Sequence, residues 1–97
     1  MPTYIRLHKW TDQGIKTIKD APQRLEDNIK NLKAAGGKLI GFYAVTGEYD
    51  YVAIVELPSD EIVLSMLLQS GSKGIVRNVT LKAFTQQEFV EAVKKLP

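Results

Sequence analysis

Polar and apolar residues alternate along this chain in four places and recur at helical spacing in three. In "TYIRLHKW", residues 3–10, Ile5 and Leu7 point one way while Tyr4, Arg6, His8 and Trp10 point the other, the period of two that marks a strand. "KLIGFYAVT" (38–46) and "YDYVAIVEL" (49–57) read as two further strands joined at Gly47-Glu48, close enough for a hairpin. "IVRNVTLKAF" (75–84) makes the fourth, with Val79, Leu81 and Ala83 opposed to Asn78, Thr80, Lys82 and Phe84.

Helix signals fill the gaps. "TDQGIKTIKD" has room for a short helical turn after the first strand. In "DAPQRLEDNIKNLKAAGG" Asp20 reads as a cap with Gln23 at the third position and Pro22 is tolerated in the first turn. Leu25, Ile29 and Leu32 form one stripe there, and Gly36-Gly37 stops the helix. In "PSDEIVLSMLLQSG" Ser59 is the expected N-cap, Asp60 and Glu61 suit the positive end of the helix dipole, and Gly71 is the expected stop. Ile62, Val63, Leu64, Met66, Leu67 and Leu68 spread wider than the ~100° stripe one sheet face hides, so part of this helix is expected to face another subunit. Thr85 with Glu88 forms a capping box before a last helix, where Phe89, Val93 and Leu96 recur at helical spacing.

The order β-α-β-β-α-β plus a terminal helix predicts one α+β, ferredoxin-like domain over residues 1–97, an antiparallel sheet with helices on one face. The helix-facing side is expected to collect Ile5, Leu7, Val52, Ile54, Val79, Leu81 and Ala83. The other face then gathers Tyr4, Arg6, His8, Trp10, Tyr51, Ala53, Val55, Asn78, Thr80, Lys82 and Phe84. That set is too aromatic for water and too polar for a plain core. Two such sheets meeting around a partly polar interior, a dimeric α+β barrel, is the economical expectation.

Composition narrows the partners. A chain of 97 residues with 44% hydrophobic content leaves no room for a second core, and one this small gains stability by pairing, so a homodimer or higher homo-oligomer is expected. Its 13 basic residues are scattered among 11 acids, which speaks against nucleic acid. With no cysteine there is no disulfide, thiolate nucleophile or Cys-based metal site, and a single histidine makes no metal constellation. No apolar stretch approaches the roughly 20 residues of a membrane span, so a cytoplasmic protein without membrane contact is expected. Neither metal nor cofactor is implied.

The opening "MPTYIRLHKWTDQGIKTIKD", the hairpin "GEYDYVAIVE", the "GS" after the second main helix and the ending "VRNVTLKAFTQQEF" resemble the GYD-domain family of small prokaryotic proteins. Gly47, Tyr49 and Asp50 supply the motif letters. The resemblance covers nearly the whole chain and implies a ferredoxin-like subunit and a dimeric barrel, but no established activity and no catalytic residues. A more distant similarity is to the effector-binding and assembly domain of leucine-responsive regulators, which also has a Gly-x-Tyr/Phe-Asp hairpin.

The candidate chemistry has two readings at each place. In "GEYD" (Gly47, Glu48, Tyr49, Asp50) Gly47 permits positive φ and the Asp50 carboxylate can accept bonds from turn amides, a complete structural role. Alternatively Glu48 or Asp50 lines the barrel mouth and binds or deprotonates a ligand. His8 is a packed interfacial residue or, since its ordinary pKa lies near neutrality, a proton-transfer or ligand group. Arg6, Trp10, Tyr51, Asn78 and Thr80 form either the walls of a small-molecule pocket or the filling of a dimer interface. "SGSKG" (70–74) follows a helix and precedes a strand, the reverse of a phosphate-loop order, and reads as a turn. The function these residues favour is a homo-oligomeric small-molecule-binding or accessory protein with its ligand between paired sheets. The alternatives are a cofactor-free monooxygenase-like enzyme using His8, Trp10, Tyr51 and Asn78, and a purely structural or effector-binding assembly module.

Overall fold

The strand that alternates most regularly lies in the interior of the sheet. In the computed structural model, which describes residues 1–97, β1 (Thr3–Trp10) pairs antiparallel with both β3 (Tyr51–Glu56) and β4 (Val76–Ala83), and β2 (Lys38–Ala44) flanks β3, giving the order β2-β3-β1-β4. The helices are α1 (Asp12–Lys16), α2 (Ala21–Ala34), α3 (Asp60–Ser72) and α4 (Gln86–Lys94), with a 3-10 turn at Ile18–Asp20. This is the ferredoxin-like α+β arrangement with an added terminal helix, as the sequence pattern predicts.

Register fixes which side chains share a face. Arg6 lies opposite Ala53 and Thr80, His8 opposite Tyr51 and Asn78, and Trp10 opposite Val76. A β-bulge between Leu39 and Gly41 shifts the phase of β2, so that Leu39, Phe42 and Ala44 join this face.

The expected assignment of the two faces is inverted. α2 and α3 cover the side bearing Tyr4, Arg6, His8, Trp10, Tyr51 and Val55, and the core is Tyr4, Val55 and Leu57 packed against Leu32 of α2 and Val63 of α3. Tyr4 donates its hydroxyl hydrogen to Asp60 at the start of α3, pinning that helix to this side. The uncovered face carries Ile5, Leu7, Val52, Ile54, Val79 and Leu81, the last two 44% and 48% exposed. Both faces are largely apolar, so hydrophobicity alone does not separate them.

Three details differ from the sequence pattern or complete it. Asp20 does not cap α2: the 3-10 turn runs straight into the helix, so Asp20 already holds helical φ/ψ and its side chain makes no cap bond. α3 continues one residue past Gly71, and the left-handed backbone falls at Gly74 instead, with φ 69°. Ser59 and the Thr85/Glu88 pair do cap α3 and α4. Of the wide apolar set on α3, Val63 is buried, Ile62, Met66 and Leu67 pack on the core, and Leu64 and Leu68 are exposed. α4 leaves the sheet after Phe84 and packs on no other element to any extent, leaving Phe89, Val93 and Leu96 in the open.

Candidate functional site

The space beneath α2 and α3 is not filled. A cavity of about 440 Å³ lies between these helices and the covered face of the sheet. Its floor is Arg6, His8 and Trp10 of β1 with Tyr51 of β3, and its roof includes Leu25 and Ile29 of α2 and Met66 of α3. The apolar stripe of α2 therefore faces the cavity, and only Leu32 at its end reaches the close-packed core.

Tyr51 is the hub of the floor. The His8 ring stacks on it with centroids 4.3 Å apart and planes 7° from parallel, Trp10 leans on it at 5.3 Å and Phe42 at 5.2 Å. Such offset contacts suit aromatic quadrupoles and hold the rings with little freedom. The hairpin motif sets this hub in place. Gly47 turns with φ 105°, a value side chains rarely tolerate, and three residues later Asp50 ties the hairpin to the end of β1. Its amide donates to the His8 carbonyl at 2.8 Å and its carboxylate accepts from the Trp10 amide at 2.9 Å. Asp50 thus clasps the two residues that flank Tyr51, while the Glu48 side chain is exposed and forms no ion pair.

Polar groups on this floor are out of water and short of partners. Arg6 has Nε and one terminal nitrogen buried without a hydrogen bond, and His8 Nδ1 is in the same condition. Arg24 of α2 donates one terminal nitrogen to the Thr17 carbonyl and hydroxyl but leaves the other buried and unbonded. The consequences for protonation follow from burial. The His8 pKa is pushed down to about 3 by desolvation, with the Arg6 charge adding to the effect. Burial also lowers Arg6 below its usual range and raises Tyr51, whose rise is opposed by the nearby charges of Arg6 and Arg24. At neutral pH His8 is uncharged, and a base so far below the working pH accepts protons poorly.

Of the residues singled out from sequence, Arg6, His8, Trp10 and Tyr51 meet at one cavity. Asn78 and Thr80 share their face but do not line it; Thr80 donates its hydroxyl hydrogen to Asn78 Oδ1 at 3.3 Å. The cavity also lies inside one chain, between the sheet and its own helices, not between paired sheets as expected. Arg24 and Phe42 were not legible. Arg24 neighbours the Leu25/Ile29/Leu32 stripe, so a cation on the margin of an apolar helix face was the available signal; Phe42 turns inward only because of the β2 bulge. No group of three or more His, Cys, Asp or Glu side chains comes together as a metal site would require.

The chain is 33% identical over 95 residues, covering 97% of its own length and the whole of the relative, to a protein of Thermus thermophilus named glutamine synthetase and cystathionine beta-lyase binding protein. Residues 4–93, including the Gly47/Tyr49/Asp50 hairpin and every strand of the cavity floor, match the family model described as the GYD domain. By both measures this chain belongs to the GYD-domain family.

Proposed function

We propose that this chain is a self-associating binding protein that holds a small molecule in the cavity beneath α2 and α3. The observation that carries the reading is that cavity itself, about 440 Å³ with aromatic walls and a few buried polar atoms lacking partners. Small-molecule sites fall in the range of roughly 300–1,000 Å³ and combine an apolar lining with a few converging polar groups. Self-association is supported by the poverty of the core: eight of 97 residues are buried, while the aliphatic sheet face and the apolar side of α4 have no cover within the chain. A monooxygenase-like role draws less support, because Asn78, although opposite His8 across β1 and β4, does not line the cavity with His8, Trp10 and Tyr51, and His8 is a weak base. The test is native mass spectrometry of the purified protein. A non-covalent adduct that disappears on denaturation is the expected result; bare chain mass under native conditions, with no thermal stabilisation by any compound of a metabolite set, would remove the reading.

A second reading, compatible with the first, is docking onto enzymes. The Thermus relative is named for binding glutamine synthetase and cystathionine beta-lyase, and the likeness runs the whole length of both chains. Titrating each purified enzyme with this protein in sedimentation-velocity runs tests it, with a faster-moving complex expected for at least one of the two.

A further inference from the structure

We infer that the cavity ligand is an organic anion, a carboxylate or phosphate head held between Arg6 and Arg24 with an apolar body resting on the Tyr51 cluster. The inference rests on the small-molecule reading above and adds the charge and orientation of what is bound. Three buried nitrogens of the two guanidinium groups have no hydrogen-bond partner, and no carboxylate lies within 4 Å of either; the single ion pair of the chain joins Lys94 to Glu91 on the surface. A guanidinium nitrogen held out of water with no counter-charge near and no acceptor of its own is unfavourable, and an anion relieves both deficits at once. Both groups line the same cavity, Arg6 from β1 of the sheet and Arg24 from α2.

The remaining wall chemistry agrees in sign. Lys73 also lines the cavity, and the one acid of the lining, Asp27, already accepts from Gln23 Nε2 at 3.0 Å. His8, two positions from Arg6 on the same face of β1, has its Nδ1 buried without a partner and offers a further polar contact. Arginine donors form a planar fork matched to carboxylate and phosphate oxygens, so the head is placed by geometry as well as charge. Trp10, Phe42, Leu25 and Ile29 supply most of the apolar wall, which suits a hydrocarbon or aromatic body.

The experiment is calorimetric titration of the intact protein with phenylacetate, phenyl phosphate, the neutral isostere phenylacetamide, and toluene. Binding of at least one anionic probe with phenylacetamide at least about tenfold weaker is expected, and the tighter of the two anions identifies the head. Arg6→Gln and Arg24→Gln should each weaken that anion by about 10- to 100-fold, the loss expected for a hydrogen bond to a charged group. Arg24→Gln, on the helix, serves where the strand variant fails to fold. Equal binding of phenylacetamide and the acids, or an unchanged affinity in a folded Arg variant, would overturn the anion assignment and leave the cavity a small-molecule site. Silence from all four probes, toluene included, would remove the small-molecule reading along with it.

Discussion

The His8 imidazole lies flat on the Tyr51 phenol, 4.3 Å between centroids, in a pair placed directly opposite one another across β1 and β3. A non-hydrogen-bonded or hydrogen-bonded cross-strand pair brings side chains within about 5 Å, so the register alone puts the rings in reach. The covering helices then strip water from them. His8 is 4% exposed, and with Arg6 two positions earlier on the same face it has no energetic room for a second positive charge.

Stability should therefore fall as the solution is acidified through the histidine range. The folded His8 pKa is about 3 against an ordinary 6.5, so the unfolded chain takes up a proton first. Well above pH 6.5 both states are neutral and stability does not change on this account. Below it the unfolded state gains, by up to about 1.4 kcal/mol per pH unit. Between pH 6.5 and 5, about 1.6 kcal/mol should be lost. As the chain has one histidine, His8→Phe should flatten the slope of the urea midpoint over that interval; an equal slope in the variant would show that another group titrates.

Asp50 is expected to act at a distance on the same cluster. Its carboxylate holds the Trp10 amide and its own amide holds the His8 carbonyl. Asp50→Ala removes a charge-assisted bond worth about 1.5–3 kcal/mol. It also frees the end of β1, and the emission of the single tryptophan should shift toward that of a wetter ring. Asp50→Asn keeps an acceptor and should recover most of the stability.

Much of this architecture could be read from the pattern of residues. The four strands, the capped starts of α3 and α4, and the turn role open to Gly47 and Asp50 rest on local signals: alternation, side-chain acceptors three residues ahead of an amide, a glycine where φ must be positive. Which face the helices cover was not legible, because that choice depends on the fit between whole layers. Tyr4 and Val55 look no more central in sequence than Ile5 and Ile54, and only the bond from Tyr4 to Asp60, 56 residues away, distinguishes them. The same long-range step brings Arg24 of α2 over the cavity floor, which is why the site was half found.

Gly37 gives a sharper test of how closely α2 and β2 meet. A methyl group there would sit 2.7 Å from Leu32 Cδ1, 2.8 Å from Leu57 Cδ2 and 2.9 Å from the Glu56 carbonyl oxygen. The two leucines are core residues and the third atom is backbone, so little can yield. Gly37→Ala should cost about 1–3 kcal/mol, the range for overpacking, as measured by thermal or urea unfolding. Gly71→Ala, with nothing within 4 Å of the added carbon, is the matched control and should be neutral or stabilising.

The uncovered sheet face makes the strongest demand on the surroundings. Ile5, Leu7, Val52, Ile54, Val79 and Leu81 form an aliphatic surface three strands wide, across β3, β1 and β4, and a patch of that kind on a free monomer invites association. A second copy placed by two-fold symmetry offers the same surface in return, so each residue counts twice at the interface. Leu81→Lys would bring two cations into that contact while leaving the chain's own core, built on the opposite face, untouched. The dimer dissociation constant should rise by about 100-fold or more, from two lost side-chain burials of about 1.5–3 kcal/mol each. Light scattering after size-exclusion chromatography should report a folded monomer for the variant and a dimer or larger species for the parent. An unchanged oligomer in Leu81→Lys would move the interface to α4 or to the Leu64/Leu68 side of α3, and Phe89→Lys and Leu68→Lys separate those two.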